Sequence, residues 1–278
     1  MSVDPSRKIL WAATVPGLSL VERVEVAAAT GFGQVSFSPA DDAPLRASGR
    51  TPDEFRAWAN DLGVTVEILD AVIEWYPHPP PKRPMGGAAF SVDEVLDIAA
   101  AFGGRSVSAL PAFPSDLDND GYVEHFASLC DKAAERGLLI HIEFVPLGGI
   151  KGIEDAWDIV RKADRANGGV LFDSWHFWYG SRDFDALEQI PAEKLMAVQL
   201  NDGPEHLDSL IKATFNGRYL TGDGVMDLER MVRILDTKGA LAYSGPEVLS
   251  AELNALPPLE AARRAGASYD ALLKSVLG

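Results

Sequence analysis

Four polar residues close apolar runs, where a buried carboxylate or amide is costly unless it binds something. They are Glu143 in LLIHIEFVP, Asp173 in VLFDSWHFW, Gln199 in MAVQLND and Glu247 in LAYSGPEVL. If these runs are strands, side chains alternate between faces with a period of two. His141, Glu143 and Val145 then share one face of their strand, and Ala197, Gln199 and Asn201 share one face of theirs. Successive strands thereby deliver Glu, Asp, Gln and Glu to one mouth. Three carboxylates converging without a counterion repel one another strongly, which makes a divalent cation their natural partner. Glu143, Asp173, Gln199 and Glu247 are the expected ligands, and an oxygen-rich set of this kind favours Mn²⁺, with Mg²⁺, Co²⁺ or Zn²⁺ as alternatives. Such an ion beside a carbonyl polarises it and stabilises an enediolate, so a glutamate can abstract the neighbouring proton. Returning that proton to the opposite face gives an epimer, and returning it to the adjacent carbon gives an isomer. Expelling a β-hydroxyl instead gives a dehydrated product.

Other residues would serve the same chemistry. His176 follows Asp173 amid Trp175, Phe177 and Trp178, and an imidazole with an ordinary pKa near 6.5 suits proton donation to a substrate oxygen. His141 lies deeper in its strand, where it packs, orients a neighbour or contacts the substrate. Trp11 and Trp175 stand at or just past strand ends and would wall the site with flat apolar faces for a substrate to stack on. Arg218, in RYLTGDGVMD, could grip a carboxylate or phosphate through a two-point contact. His78, His125 and His206 are expected to face solvent.

Short apolar runs alternate with helical patterns along the chain, as they do when helices cover a parallel sheet. Eight strands are predicted, at 9–15, 34–38, 65–70, 106–110, 138–145, 170–173, 195–201 and 241–247. Helical segments such as TPDEFRAWANDLG and SVDEVLDIAAAFGG begin at the N-cap candidates Thr51 and Ser91 and stop at glycine. A final helix is expected over 259–276, and the stretches 76–87 and 203–227 interrupt the rhythm after the third and seventh strands. The fold class that follows is α/β, a single (β/α)₈ TIM barrel over residues 1–278, with its site at the C-terminal ends of the strands.

Composition narrows the partners. With 25 basic and 41 acidic residues the formal net charge is −16, a field that repels nucleic-acid phosphates. No apolar stretch approaches the ~20 residues that span a bilayer. The N-terminal MSVDPSRKILWAATVPG lacks the long apolar core of a secretory signal, and Cys130 is a lone cysteine, so a cytoplasmic location is expected. The expected partner is a small molecule, with no nucleic acid and no membrane; a homo-oligomer is compatible with the sequence.

The strings HIEFVP, FDSWHFW, VQLND and GPEV, in this order, resemble the xylose-isomerase-like barrel superfamily. Its members include sugar and sugar-phosphate isomerases and epimerases, inosose dehydratases and 3-dehydroshikimate dehydratases. The resemblance implies that Glu143 and Glu247 are metal-bound glutamates acting as acid and base. It further implies that Asp173 is a metal-bound aspartate, His176 a substrate-contacting histidine and Arg218 a substrate-binding arginine. Gln199 stands where many relatives have a metal-binding histidine, a departure shared with relatives of the dehydroshikimate dehydratase type. Thr221 and Gly222 replace a proline and glycine common in relatives. The resemblance implies the activity of a sugar or sugar-phosphate isomerase or epimerase acting on a small polyhydroxy carbonyl substrate, with a dehydratase of the 3-dehydroshikimate or inosose type as the alternative. A barrel that binds sugar without metal is the non-enzymatic alternative. A DNA-cleaving barrel would require a histidine-rich zinc cluster and a basic face, which 5 histidines and the acidic charge oppose.

Overall fold

The computed structural model describes residues 7–78 and 90–278, so most of the proline-rich stretch 76–87 lies outside the described residues. Eight parallel strands pair in sequence order: β1 Ile9–Leu10, β2 Gln34–Phe37, β3 Thr65–Val72, β4 Ser106–Ala109, β5 Leu139–Glu143, β6 Gly168–Asp173, β7 Leu195–Leu200 and β8 Ser244–Pro246. Together with the surrounding helices they form the TIM barrel that the alternating pattern implies. No helix among the described residues is long and apolar enough to cross a membrane.

Alternation works as the strand patterns require. Ile140, Ile142 and Phe144 of the β5 segment, Val170 and Phe172 of β6, and Val198 and Leu200 of β7 join the large apolar cluster that includes the helices. Residues of opposite parity point inward: Ile9, Trp11, Ile68, Leu171 and Ala197 make a separate buried cluster. That inner cluster forms an apolar floor inside the barrel, above which β5, β6 and β7 continue to Glu143, Asp173 and Gln199.

The helices start where the sequence provides caps. Thr51 Oγ1 accepts from Glu54 N at 3.2 Å and Ser91 Oγ from Glu94 N at 3.3 Å, and both glutamates reach back to the cap N–H. The helix Leu20–Thr30 ends at Gly31, whose φ of 77° suits a residue without a Cβ. The last helix runs Pro258–Leu277, one residue beyond expectation at each end.

Two strand expectations are corrected. Predicted strand 9–15 stops at Leu10, and Ala12–Thr14 form a 3₁₀ turn because Ala12 N donates to Ser36 Oγ at 2.8 Å rather than extending the ladder. Thr14 then donates to the Pro246 carbonyl and accepts from Val248 N, fastening the end of β1 to the end of β8. Predicted strand 241–247 begins only at Ser244, after a 3₁₀ turn over Ala240–Tyr243 whose Leu241 carbonyl is capped by the Ser244 hydroxyl. The long stretch 203–227 also holds a short helix, Leu210–Asn216, which the sequence reading does not anticipate.

The seam between β8 and β1 admits no side chain at Gly245, where a Cβ would run into the backbone of Ile9. Gly245→Ala should therefore destabilise the fold by roughly 1–3 kcal/mol or more through overpacking of rigid backbone. Urea denaturation of the two proteins measures this, and an unchanged midpoint would contradict so tight a seam.

Candidate metal centre

The ends of β5 to β8 converge on one buried group of acids. Glu143 ends β5 and Asp173 ends β6, and Asp173 also caps the following helix Ser174–Tyr179 by accepting from Trp175 N at 2.7 Å. That cap sets the next turn so that His176 faces back over the strand ends. Its Nε2 lies 3.6 Å from Glu143 Oε1 and 3.7 Å from Asp173 Oδ2. Glu143, Asp173 and His176 form a candidate metal site, each offering a ligand atom within 4.8 Å of the others.

Glu247 joins this group through Arg218. Its Nη1 donates to Asp173 Oδ2 at 2.8 Å and to Glu247 Oε2 at 2.9 Å, while its Nε donates to the Thr214 carbonyl at 3.2 Å. Gln199 Nε2 donates to the other oxygen of Glu247 at 3.0 Å. Asn201 Nδ2 donates to Asp173 Oδ1 at 3.1 Å.

Burial sets the electrostatics. The Glu143 carboxyl is held well above its ordinary value of 4.5 by burial and then by the charges of Asp70 and Asp173, against the pull of Arg218. Glu247 is raised likewise, by burial first, with Asp173, Glu143 and Asp70 adding to it and Arg218 opposing. Asp173 goes the other way: burial disfavours its charge, but Arg218, His176 and the hydrogen bond from Asn201 outweigh that cost. Burial lowers His176 to about 4, so near neutral pH its imidazole is uncharged.

This donor set fits a divalent cation. Glu143 accepts no hydrogen bond among the described residues, and the Gln199 amide oxygen is buried without a partner. With Arg218 as the cation that pairs with Asp173 and Glu247, the carboxylates remain in excess. Unpaired buried charge of this kind is stabilised by a metal ion or by protonation.

Residues 24–272 match the family described as xylose isomerase-like TIM barrel. The chain belongs to that family. Its similarity to the 3-dehydroshikimate dehydratase of Pseudomonas aeruginosa is 26% identity over 231 residues, taking in 82% of this chain and 35% of that protein. The chain thus spans about a third of the length of that relative. It is 22% identical over 244 residues to the inosose isomerase of Halalkalibacterium halodurans, covering 84% of this chain and 83% of the other. Among solved structures, the IOLI protein with a bound zinc atom superposes with a TM-score of 0.83 at 20% identity, over 97% of this chain and 99% of that one. At that identity the likeness is one of fold. The dehydratase and the isomerase among these relatives are enzymes.

Within this family barrel, the structure brings Glu143, Asp173, His176, Gln199, Arg218 and Glu247 into one buried mouth. His141 lies lower on β5, fully buried, with Nε2 3.0 Å from Ser106 Oγ, and burial lowers its pKa to about 3. Trp11 belongs to the inner floor. Trp175 is buried beside the site, its Nε1 donating to Thr214 Oγ1 at 3.0 Å and its ring 5.7 Å from the Arg218 guanidinium carbon. His206 is exposed, whereas His125 and His78 are half-buried rather than solvent-facing. His78 stacks near Phe113 and contacts Glu74.

Two acids in the site escape the sequence reading. Asp202, directly after Asn201, is buried and accepts from Gly203 N, Met226 N and Gly222 N at 2.8, 3.0 and 3.1 Å. Its backbone pairs with Tyr219 in both directions, so one residue clamps the RYLTGDGVMD loop that carries Arg218. The second is Asp70 near the end of β3, which burial and the nearby Asp173 push up to about 6 against Ser108 and Arg218. The polar-strand-end signal that marks Asp173 is also present in TVEILDAV, where it marks Asp70.

Because Glu143 and Glu247 hold protons more tightly than ordinary glutamates, the metal-free fold binds more protons than the unfolded chain. Its stability from these groups falls as pH rises above their ordinary value of 4.5. Cation binding must displace those protons, so divalent-ion affinity should increase with pH and binding should release protons. Titration calorimetry in buffers of different ionisation enthalpy measures the release; Mn²⁺ binding with no proton release within about two pH units above the ordinary glutamate value would refute the raised acids.

Proposed function

We propose that this chain is a divalent-metal-dependent isomerase or epimerase that abstracts a proton next to the carbonyl of a sugar, sugar phosphate or related polyhydroxy compound. The observation that carries this reading is the pair Glu143 and Glu247. Both are buried, both favour the protonated form, and they arrive from β5 and β8 on either side of Asp173 and Gln199. Carboxyls tuned upward by burial are suited to exchanging protons near neutral pH.

A divalent cation bound by Glu143, Asp173, Gln199 and Glu247, with Mn²⁺ favoured, would polarise the substrate carbonyl and stabilise the charge that develops on it. Within the protein, one of Glu143 and Glu247 takes the proton and the other returns one. Neutral His176, beside Glu143 and Asp173, accepts or donates a hydrogen bond at a substrate oxygen. Arg218 keeps Asp173 ionised through Nη1, while its Nη2 makes no hydrogen bond to a described residue and is free to bind substrate. Trp11, Trp175 and His141, all completely buried, pack beneath and beside the residues that would face that substrate.

A dehydratase reading is favoured by one observation, the Pseudomonas aeruginosa relative, which covers most of this chain. Both readings share the first proton abstraction and differ in whether a β-hydroxyl then leaves.

Incubation with Mn²⁺ and a panel of ketoses, ketose phosphates, inososes and 3-dehydroshikimate in D₂O tests the reading by NMR. Deuterium should enter at the carbon next to the carbonyl, and Glu143→Gln or Glu247→Gln should lower that exchange by at least about 100-fold. Near-normal exchange in both variants with metal removed would rule out the centre and favour a metal-free binding barrel or another site. Gln199→His should keep the ion, since imidazole is a competent ligand, whereas Gln199→Ala with unchanged metal content would show that Gln199 is not a ligand.

Arg218→Lys separates the two duties of that side chain. An ammonium can still neutralise the acids but cannot reproduce the planar fork, so KM for an anionic substrate should rise roughly ten- to a hundredfold while a neutral one changes far less. Equal losses on both would show that Arg218 does not read substrate charge.

A further inference from the structure

The acids described above line one half of the mouth, on β5 to β8. The opposite half contains a polar pair with no assigned work. Asp70 lies two residues beyond Ile68, a member of the inner floor, and so points inward by the same alternation. Its inward direction agrees with the charges around it, since it is within electrostatic reach of Asp173, Arg218, Glu143 and Glu247.

In the ladder Asp70 pairs with Ser108 on β4, and Ser108 pairs with His141 on β5. The β3–β4 register then shifts between Asp70 and Val72. Irregularities of this kind re-aim side chains at barrel rims. The Asp70 carboxylate is only partly buried, and among the described residues its hydrogen-bonding neighbour is the Ser108 hydroxyl. That hydroxyl is completely buried and has no other partner among the described residues. A carboxylate that receives a single hydroxyl keeps most of its accepting capacity unspent, and in a cavity such capacity marks a place where a ligand completes the hydrogen bonding.

We propose that Asp70, oriented by Ser108, forms a hydroxyl-binding subsite on the β3–β4 wall that holds the polyol end of the substrate. With eight strands in order, β3 and β4 stand across the barrel from β7 and β8. A substrate whose carbonyl lies at the acids of β5–β8 therefore extends its remaining carbons toward Asp70. A carboxylate has room for two donors and suits a pair of neighbouring hydroxyls. Three acids already share the cavity, so an anionic group at this end would be repelled, and the end that Asp70 holds is neutral. Which hydroxyls can reach it depends on their configuration, which makes Asp70 a specificity-determining residue. This inference rests on the proposed reading of the site as one for polyhydroxy carbonyl compounds.

The test uses the Mn²⁺-loaded full chain and a polyhydroxy ketone into which it exchanges solvent deuterium, together with analogues lacking single hydroxyls two or more carbons from the carbonyl. In the unaltered protein, loss of the hydroxyl held by Asp70 should lower kcat/KM by about ten- to a hundredfold. In Asp70→Ala the parent ketone should fall by a similar factor, mostly through KM, and the penalty for the missing hydroxyl should shrink to about twofold. Asp70→Asn keeps the shape and one acceptor oxygen and should fall between the two; Ser108→Ala should weaken the same penalty without shifting it to another hydroxyl. Removing an acid from a crowded acidic cavity relieves repulsion, and circular dichroism confirms that each variant is folded. A hydroxyl penalty equal in all the variants and the unaltered protein overturns the subsite while leaving the proposed function standing. Absence of exchange into every ketone by the unaltered protein overturns both.

Discussion

The mouth of this barrel depends on one guanidinium held between two buried carboxylates. Asp173 is wholly out of water, and Arg218 reaches it and Glu247 with the same nitrogen. In a medium of low polarity a single positive charge can stabilise one neighbouring carboxylate fully and others only partly. The protein's charges follow that rule: Asp173 stays ionised, and Glu143, Glu247 and Asp70 are pushed toward protonation. A divalent ion would reverse the balance for the glutamates, and this couples metal, proton and fold in one small volume.

Neutral groups hold that arrangement in place. Asn201 and the backbone of Trp175 both donate to one oxygen of Asp173, leaving the other to Arg218. Gln199 steers Glu247 with its amide nitrogen and keeps its amide oxygen unspent. Arg218 itself sits on a long loop, and a loop of that length would ordinarily blur its position. Asp202 removes the freedom by accepting three backbone N–H groups from the loop. Charge geometry at the site is therefore inherited from a hydrogen-bonded turn rather than from the strand ladder alone.

The barrel divides its labour by side. Strands β5 to β8 and the residues just past them carry Glu143, Asp173, Gln199 and Glu247, whereas the β1 to β4 side carries Trp11, Ser108 and a single acid of the site, Asp70. Relatives in this family are dehydratases and isomerases on one scaffold. One scaffold can serve different reactions when the groups that face the substrate differ.

The sequence by itself determined the strands, their order, the inward parity of Glu143 and Gln199 and the strand-end position of Asp173, because a barrel strand writes its two faces into alternate residues and its ends into polar ones. Capping at Thr51 and Ser91 was equally legible, since a cap and its partner lie three residues apart. The ends of β1 and β8 were not, because Thr14, Pro246 and Val248 meet across 232 and 234 positions of chain. Arg218 could be singled out from its loop, but its place between Asp173 and Glu247 could not, since 45 and 29 residues separate them. Asp70 carried the same local signal as Asp173 and gained its meaning only from proximity to the other acids. Tertiary structure decided which charges share a cavity, because Coulomb interactions follow distance in space and the sequence records only distance along the chain.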